Sequence, residues 1–507
     1  MAPVCSRTMS ARLVARSGRI MSDSWILIEH GRVVDGRGGV PLDDTSVLIQ
    51  GDHIVSVGAA ASAETVPRGE HLTTIDATGQ TVMPGLIDAH CHLTYGESLT
   101  QEEQDLYTSP ESRTLIAASN VSKMLSAGVT SFCEPGGSYY IGVAIRDAIQ
   151  RGMIQGPRMT SAGRYLTTSN GIADFYPTSV GVPEGSVGLL TNTADEMVTA
   201  VRRHVKNGVD LIKLADSPYG EFQAFTYDEM ARVTEVAHQL HRKVTIHARG
   251  AAEVGAAVRA GVDWVMHGNL MTDEVIEQLA ESKIPLCPTL LLHGNWRDFG
   301  SLFGVPRRIM EGTKRMLDRS AVTLHKAHEA GVKFMLGTDT GFSATPFGEW
   351  HARELELLVE YAGLSPLEAI QAGTEGSALA VNGEGRLGVI AAGMAADVLV
   401  VDGDPAADIR VLQDRRRLSA IISRGAIWDG DKGDLGSWPV DRAQVFSTEI
   451  LTYDLVHGSH KADPQRASTS DGPQSAVEQS AVDQASQPAG SELFHEVMRV
   501  SAASRER

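Results

Sequence analysis

Six side chains suited to metal binding are spread through the middle of this chain, near the ends of apolar segments. The segment Asp88–His92 reads Asp-Ala-His-Cys-His and closes an apolar strand pattern that follows a Pro-Gly pair. Residues i and i+2 of a strand point to the same face, so His90 and His92 can hold one metal ion together. Because an HxH pair also fits an exposed polar strand face, the remaining segments decide between the two interpretations.

A lysine lies inside the apolar segment Asp-Leu-Ile-Lys-Leu-Ala that begins at Asp210. A charged ammonium is expensive to bury, so Lys213 either extends its amine to solvent, pairs with Asp210 or Asp216, or loses its charge. A neutral amine can add carbon dioxide, and the resulting carbamate anion has two oxygens that can bridge two metal ions. The sequence leaves these alternatives open.

Three further candidates, His247, His267 and Asp339, close the segments VTIHARG, DWVMHGN and FMLGTDT. A single histidine of this kind could be a hydrogen-bonded core residue, and Asp339 could be a helix N-cap. The separations of 34 residues from Lys213 to His247, 20 to His267 and 72 to Asp339 nevertheless fit whole strand–helix units. We therefore expect these four residues at the ends of strands four, five, six and eight of a barrel, where barrel enzymes keep catalytic residues, with the HxH pair on strand one.

The elements that must position these residues alternate between apolar strands and helical patterns from residue 83 to 385. This alternation predicts an α/β fold, a TIM (β/α)8 barrel. Residues 23–82 and 386–450 consist of short strand patterns between Gly and Asp turns, which predicts a small β-sandwich built from the N- and C-terminal segments.

The two termini differ in composition from the rest of the chain. Residues 1–22 carry several arginines and no acidic residue before the strand patterns begin, so we expect a disordered leader whose Arg/Ser-rich composition leaves organelle targeting open. Residues 458–507 are rich in Ser, Gln, Ala and Pro and are expected to be a disordered tail, with a short helix at SELFHEVMRV.

Charge and cysteine content exclude several classes of protein. The net charge of -18 argues against a nucleic-acid or anionic-membrane partner, and no apolar run reaches the ~20 residues that a membrane-spanning helix needs. The four cysteines are far apart and show no CxxC spacing. Together these observations predict a cytoplasmic protein acting on a small molecule.

The HxH pair after Pro-Gly, the strand lysine, the two strand-end histidines and the Gly-Thr-Asp motif resemble the binuclear amidohydrolase superfamily. The segment Gly393–Pro405 is similar to the C-terminal β-sandwich of that superfamily. VDLIKL and VTIHARG most resemble its prolidase-like branch, which includes Xaa-Pro, Xaa-Arg and N-acyl amino acid peptidases and the fungal ochratoxinase. After Lys213, however, this chain has Ala-Asp-Ser-Pro-Tyr-Gly where those relatives often have a Gly-Gly pair, which indicates an altered pocket.

The resemblance implies two divalent metal ions, with zinc suited to mixed nitrogen and oxygen ligands and Mn, Co or Fe left open. The first ion would be held by His90, His92 and Asp339, the second by His247 and His267, and N-carboxylated Lys213 would bridge them. Hydroxide bridging the ions would attack the substrate carbonyl. Asp339 would take its proton and pass it to the leaving amine, so Asp339 and Lys213 are the predicted catalytic residues.

The reaction implied is cleavage of an amide bond in N-acyl amino acids, dipeptides or related carboxamides, including xenobiotics. A lactone or carbamate hydrolase and a mononuclear deaminase are alternatives, although related deaminases lack the strand-four lysine and carry a Glu soon after the strand-five histidine. The nearest acidic residue here is Glu253. A non-catalytic scaffold barrel is a further alternative, and relatives are often homo-oligomers.

Four residues are candidates for contact with the substrate: Arg249, Tyr219, Tyr165 and His293. Arg249 follows His247 by two positions and could meet a carboxylate. The other three lie in segments that follow predicted strands, where a structural role is the favoured alternative. His351, three residues before Glu354, is interpreted as a helix-surface residue or a minor contributor to the pocket.

Overall fold

The computed structural model describes residues 24–98, 100, 102–430 and 451–458. All of them except Gly458 belong to one compact unit that ends at His457. The predicted leader at 1–22, the tail beyond 458 with its short helix, and residues 431–450 of the predicted second sandwich segment lie outside the described residues. Within the described ranges, no helix combines the length and apolar character needed to cross a bilayer.

The described strands are, in chain order, β1 (Ser24–Val33), β2 (Leu42–Gln50), β3 (His53–Val57), β4 (His71–Asp76), β5 (Thr81–Pro84), β6 (Leu86–Asp88), β7 (Val129–Glu134), β8 (Arg158–Ser161), β9 (Tyr165–Thr167), β10 (Gly188–Leu190), β11 (Leu211–Ala215), β12 (Lys243–Gly250), β13 (Trp264–Leu270), β14 (Leu286–Cys287), β15 (Val398–Val401), β16 (Leu418–Ser423) and β17 (Ala426–Ile427). The α-helices are α1 (Pro110–Ser126), α2 (Ile141–Gln150), α3 (Ala194–Lys206), α4 (Tyr227–Gln239), α5 (Ala251–Ala260), α6 (Asp273–Ser282), α7 (Leu291–Phe299), α8 (Arg307–Glu329), α9 (Arg353–Ala362), α10 (Pro366–Ala372) and α11 (Tyr453–His457).

Both ends of the described chain meet in one sheet. Its order is β17-β16-β15-β5-β1-β2-β3, with β4 beside β1, and β15 lies antiparallel to β5 so that Val400 faces Val82. Apolar residues from both segments, such as Ile28, Val47 and Val398, form a shared core at this sheet. The terminal segments are therefore joined as expected, whereas the two-layer arrangement and the limits 23–82 and 386–450 stay predictions.

The middle of the chain forms two parallel sheets, ordered β6-β7-β8 and β10-β9-β11-β12-β13-β14. From β11 to β14 a helix separates each strand from the next, which is the connection that parallel neighbours require. Local sequence sets the helix limits: Thr226 and Glu229 form a capping box at the start of α4, and Gly261 ends α5 with a φ of 78°.

The apolar pattern between residues 83 and 385 also predicts strands over RMTSAGRYL, PLCPTLLL and FMLGTDT, and these three differ from the observed strands. RMTSAGRYL is broken into β8 and β9 around Gly163, whose φ is +67°. The strand predicted over PLCPTLLL ends at Cys287, because Leu291 already begins α7. FMLGTDT is not a regular strand: Phe334 forms an isolated parallel bridge with Leu286, and the left-handed backbone of Asp339 interrupts the ladder.

Backbone hydrogen bonds nevertheless hold FMLGTDT against the HxH segment. Ala89 N–H donates to Leu336 O at 2.8 Å, Asp339 N–H to His90 O at 2.7 Å and His92 N–H to Thr340 O at 2.8 Å. Gly337 permits this approach, since a Cβ at that position would lie 2.1 Å from the sulfur of Cys287.

A buried apolar cluster is formed by residues of the parallel strands and of the segments beside them: Ala89, Cys133, Leu211, Trp264, Met266, Cys287 and Met335. Leu211 and Lys213 alternate with Ile212 along β11, so the lysine is on the same face of the strand as Leu211. Lys213 thus shares a strand face with a packed apolar cluster.

Candidate metal centre

His90, His92 and Asp339 bring three ligand atoms to one point. The two Nε2 atoms lie 3.1 Å apart, and Asp339 Oδ1 lies 3.4 Å from His90 Nε2 and 3.0 Å from His92 Nε2. These atoms belong to one of two described groups of side chains whose spacing could hold a metal ion. The carboxyl group of Asp339 therefore faces the two imidazoles and is not an N-cap.

Outer hydrogen bonds set the tautomers of His90 and His92. His92 Nδ1 donates to Gly136 O at 2.6 Å. His90 Nδ1 lies 3.2 Å from Thr289 Oγ1, and that hydroxyl donates its own proton to Cys287 O at 3.3 Å. Each Nδ1 thus carries the proton, and each Nε2 lone pair points at its neighbour and at the carboxylate. Lone pairs this close repel one another unless a cation lies between them.

His247 and His267 end the adjacent strands β12 and β13 and form a second group. Their ring centroids are 4.2 Å apart, and the rings of His267 and His90 are 5.4 Å apart, which joins the two groups. Among the described residues, Nε2 of His247 and both ring nitrogens of His267 are buried without a hydrogen-bond partner. Buried polar atoms are rarely left unpaired, so these nitrogens fit a partner such as a metal ion.

Electrostatics keep the ring nitrogens of both groups available. Burial holds the pKa values of His90, His247 and His267 well below the ordinary histidine value, so the rings are neutral. Burial alone would raise the pKa of Asp339, but the nearby His90, His92 and Arg249 outweigh it and lower that pKa. Neutral imidazoles beside a carboxylate are the forms that bind divalent metal ions.

Lys213 is buried, with 3% of its surface exposed, so its amine does not extend to solvent. It also pairs with neither of its sequence neighbours, because Asp210 Oδ2 binds Arg146 Nη1 at 2.6 Å and Asp216 accepts backbone N–H groups. The amine instead contacts the thioether sulfur of Met266. Burial lowers its pKa to about 7, so a neutral amine is accessible near neutral pH.

Strained backbone marks the rim of the candidate site. His267, Thr289 and Asp339 have φ values of 76°, 58° and 56°, in the left-handed region that non-glycine residues rarely adopt. Such strain costs on the order of 1–3 kcal/mol for each residue and concentrates at functional sites, where the surrounding structure enforces it. All three residues are ligand candidates or contact one.

Two of the proposed substrate contacts, Arg249 and Tyr219, are partly exposed. Arg249 Nη1 donates to Asn269 Oδ1 at 2.6 Å and Nε donates to Pro218 O at 3.1 Å, which fixes the guanidinium beside His247. Tyr219 follows in the same loop and is 38% exposed.

The other two candidates, His293 and Tyr165, are less open. His293 lies on α7, its Nδ1 has no described hydrogen-bond partner, and burial lowers its pKa to about 3. Tyr165 begins β9 and is buried in a cluster with Tyr95 and Val187. Tyr165 is therefore part of the wall behind the ligands.

The prediction that His351 lies on a helix surface is wrong. It is fully buried, two residues before α9 begins, and its Nδ1 contacts Asp88 Oδ2 at 2.8 Å. The signal was present in the sequence: Trp350, Leu355 and Leu358 form an apolar stripe that places residues 351 and 354 on the inner side. The sequence interpretation also missed Tyr95, whose ring stacks on that of His92 at 4.1 Å.

Comparisons with known proteins identify the family of this chain. The sequence profile of the amidohydrolase family matches residues 81–428. Ochratoxinase from Aspergillus niger is 27% identical over 452 residues, covering 83% of this chain and 89% of the relative.

Solved structures show the same relationship. A crystal structure of A. niger ochratoxinase has a TM-score of 0.71 and 26% identity, covering 80% of this chain and 96% of that one. A prolidase crystallised with N-methylphosphonate-L-proline has a TM-score of 0.68 and 28% identity, covering 80% and 99%. The predicted resemblance is confirmed: the chain belongs to the amidohydrolase family and is a hydrolase that acts on carbon–nitrogen bonds.

Proposed function

We propose that this protein is a binuclear metal-dependent hydrolase that cleaves the amide bond of N-acyl amino acids, dipeptides or related carboxamides, xenobiotics included. The observation that carries the proposal is the convergence of acceptor atoms around His90, His92 and Asp339, beside the unpartnered nitrogens of His247 and His267. The arrangement supplies ligand atoms for two cations. Among the described residues, the unpartnered nitrogens of His247 and His267 have no hydrogen-bond partner.

The proposed scaffold is a single (β/α)8 barrel assembled from the two parallel sheets and FMLGTDT. Support comes from the hydrogen bonds that join residues 336–340 to 89–92, and from Met335 N–H donating to Leu286 O at 2.8 Å. On the other side, Asp210 N–H donates to Ser161 O at 2.9 Å, linking the three-stranded sheet to β11. In a barrel these strand ends share one rim, where catalytic residues are found.

In this proposal the first metal ion is held by His90, His92 and Asp339, and the second by His247 and His267. Two divalent ions, zinc or else Mn, Co or Fe, would when bound supply Lewis acidity for the scissile carbonyl and make water acidic enough to act at neutral pH. Lys213, once neutral, would add carbon dioxide at Nζ and release one proton, and the resulting carbamate would supply oxygen ligands to both groups. Its burial without a carboxylate partner supports this role.

Asp339 is the proposed proton carrier. Its lowered pKa keeps it ionised at neutral pH, and it lies at the rim with 17% of its side chain exposed, whereas the imidazoles beside it are almost fully buried. The carboxylate can take a proton from the attacking water and deliver it to the departing nitrogen. Arg249 is the proposed partner of a substrate carboxylate, with Tyr219 and His293 flanking it and Tyr165 closing the wall.

A mononuclear deaminase has less support. The acidic residue nearest to His247 in sequence, Glu253, is used within its own helix: its Oε1 accepts Gly250 N–H at 2.9 Å and Ser217 Oγ at 3.1 Å as part of the cap of α5. It is therefore not presented to a substrate. We also propose a cytoplasmic homo-oligomer, which light scattering of the purified protein would test.

The decisive experiment combines metal analysis with a substrate panel. Protein purified with zinc or manganese should hold about two ions per chain and hydrolyse N-acyl amino acids or dipeptides. Lys213→Ala should lose activity and about one ion, whereas Arg249→Ala should raise KM for substrates with a free carboxylate and leave their amidated analogues unaffected. Full activity and metal content in Lys213→Ala would overturn the bridging role, and one or no ion in the parent protein would overturn the binuclear assignment.

A further inference from the structure

Two buried polar side chains, His351 and Glu354, lie behind the first ligand group, and no step of the proposed reaction uses them. They are three positions apart where the chain enters α9, and both are fully buried. His351 contacts Asp88, two residues before His90, and Glu354 contacts Leu290, the residue after the His90 partner Thr289.

His351 acts on His90 through Asp88. Gly348 N–H donates to His351 Nε2 at 3.2 Å, so that nitrogen accepts and the proton is on Nδ1, which donates to Asp88 Oδ2 at 2.8 Å. Asp88 Oδ1 in turn accepts the backbone N–H groups of His90 and Thr338, both at 3.1 Å. Asp88 thus ties the backbone that carries His90 to the residue before Asp339.

Glu354 acts on the opposite side of His90. Its two carboxyl oxygens accept Leu290 N–H at 2.9 and 3.0 Å, which fixes the turn that follows Thr289. Thr289 Oγ1 accepts the hydrogen bond from Nδ1–H of His90. The short stretch 351–354 therefore holds both the backbone and the ring of His90.

Asp88, Cys91 and His351 also have ligand atoms close enough to suggest a metal site of their own. Their hydrogen bonds argue against one, because both ring nitrogens of His351 and both oxygens of Asp88 already have protein partners. Burial also raises the pKa of the Cys91 thiol well above its ordinary value, which opposes the thiolate that a metal ion would need.

We propose that His351 is a positioning residue of the metal centre: through Asp88 it sets the spacing of His90 and Asp339 that the first ion requires. Glu354 supports the same ligand through the turn at Thr289. The inference rests on the proposed function, since it assumes that these ligands hold a metal ion. Outer contacts of this kind typically change metal affinity or activity by about 10–100-fold.

The test compares two amide side chains at position 351, each of which overlaps a different ring nitrogen of the histidine. The amide nitrogen of His351→Asn lies near the position of Nδ1 and can donate to Asp88, whereas His351→Gln places its amide near Nε2 and cannot. We expect His351→Gln and His351→Ala to weaken zinc affinity, measured by competition with a chromophoric chelator, by about 10–100-fold. His351→Asn should restore most of that loss and the cobalt(II) absorption spectrum of the parent.

Two controls separate the possible outcomes. His328→Ala removes another histidine–carboxylate contact, the 3.3 Å pair with Glu368 on the protein surface, and should leave zinc affinity unchanged. His90→Ala should abolish binding of the first ion. If His351→Gln binds zinc like the parent, or His351→Asn is as weak as His351→Gln, the positioning role fails while the proposed function stands. If His90→Ala itself keeps both ions, the proposed function fails.

Discussion

The two ligand groups of this site are held in different ways. Around His90 and His92, each Nδ1 has a hydrogen-bond partner and the carboxylate of Asp88 fixes the backbone. Around His267 and Lys213, both ring nitrogens have no partner among the described residues, and the lysine amine meets only a thioether as a polar contact. Both histidines of the first group are thus oriented by hydrogen bonds. In the second group His247 has one backbone partner, Pro218, and His267 is oriented by packing within its strand.

This difference indicates what fixes the orientation of the side chains in each ligand group. Hydrogen bonds to a ligand's outer atom fix its tautomer and orientation before any metal ion arrives. The ring nitrogens of the second group that have no partner among the described residues stay buried and unsatisfied, at a cost of ~1–3 kcal/mol for each atom, until a partner binds. The second group should therefore gain more stability from metal binding and carboxylation than the first.

The largest expected effect is the loss of a ligand from the second group. His267→Ala should lower kcat/KM on the order of a thousandfold, about 4 kcal/mol, because the group loses one of its two imidazoles and with it the charge stabilisation the ion supplies. Metal analysis and steady-state kinetics would measure it.

His204→Ala is the matched control for that substitution. His204 is likewise buried, with an unpartnered Nε2, but it lies on α3 and contacts Tyr140. It should change stability and leave metal content intact. Equal loss of metal from both variants would mean that the unpartnered nitrogens of the site are not ligands.

An intermediate effect concerns stability and pH. Lys213 has a pKa near 7 in the fold against an ordinary value of 10.5, so the unfolded chain binds the extra proton between those pH values. The free energy of unfolding of metal-free, carbon-dioxide-free protein should therefore rise as pH increases from about 7 to 10.5. Below that window Lys213→Met should be the more stable protein, by about 5 kcal/mol.

Urea denaturation across this pH range would measure the effect. The Lys213→Met variant should lack the part of the slope that the lysine contributes, and its advantage should vanish at high pH. A parent protein and a variant with parallel pH profiles would show that the amine is not destabilised by burial.

The smallest effect is expected in the first group. Thr289→Val keeps the side-chain shape and removes the hydroxyl that accepts the hydrogen bond from Nδ1–H of His90. Loss of one such contact costs about 1 kcal/mol, so kcat/KM should fall about fivefold. Steady-state kinetics would measure this change. An effect as large as that of His267→Ala would contradict the view that several contacts together hold the ring of His90 in place.

Much of the site could be predicted because its residues stand at recognisable positions. His247 and His267 each close an apolar strand segment, and the pattern of strand and helix places successive strand ends together. His351 shows the limit. The apolar residues around it could have indicated the inner face of the helix, but nothing in the sequence indicates that its partner is Asp88, 263 positions away.

The sequence by itself determined which residue types lie at strand ends and that a lysine is inside an apolar strand, since these follow from local periodicity. Only the tertiary structure decided the rest. It placed Asp339 and His267 in left-handed backbone and ended the strand predicted over PLCPTLLL at Cys287. It also supplied the contacts that set the tautomers of His90 and His92. These depend on partners distant in the chain, and local propensity carries no information about them.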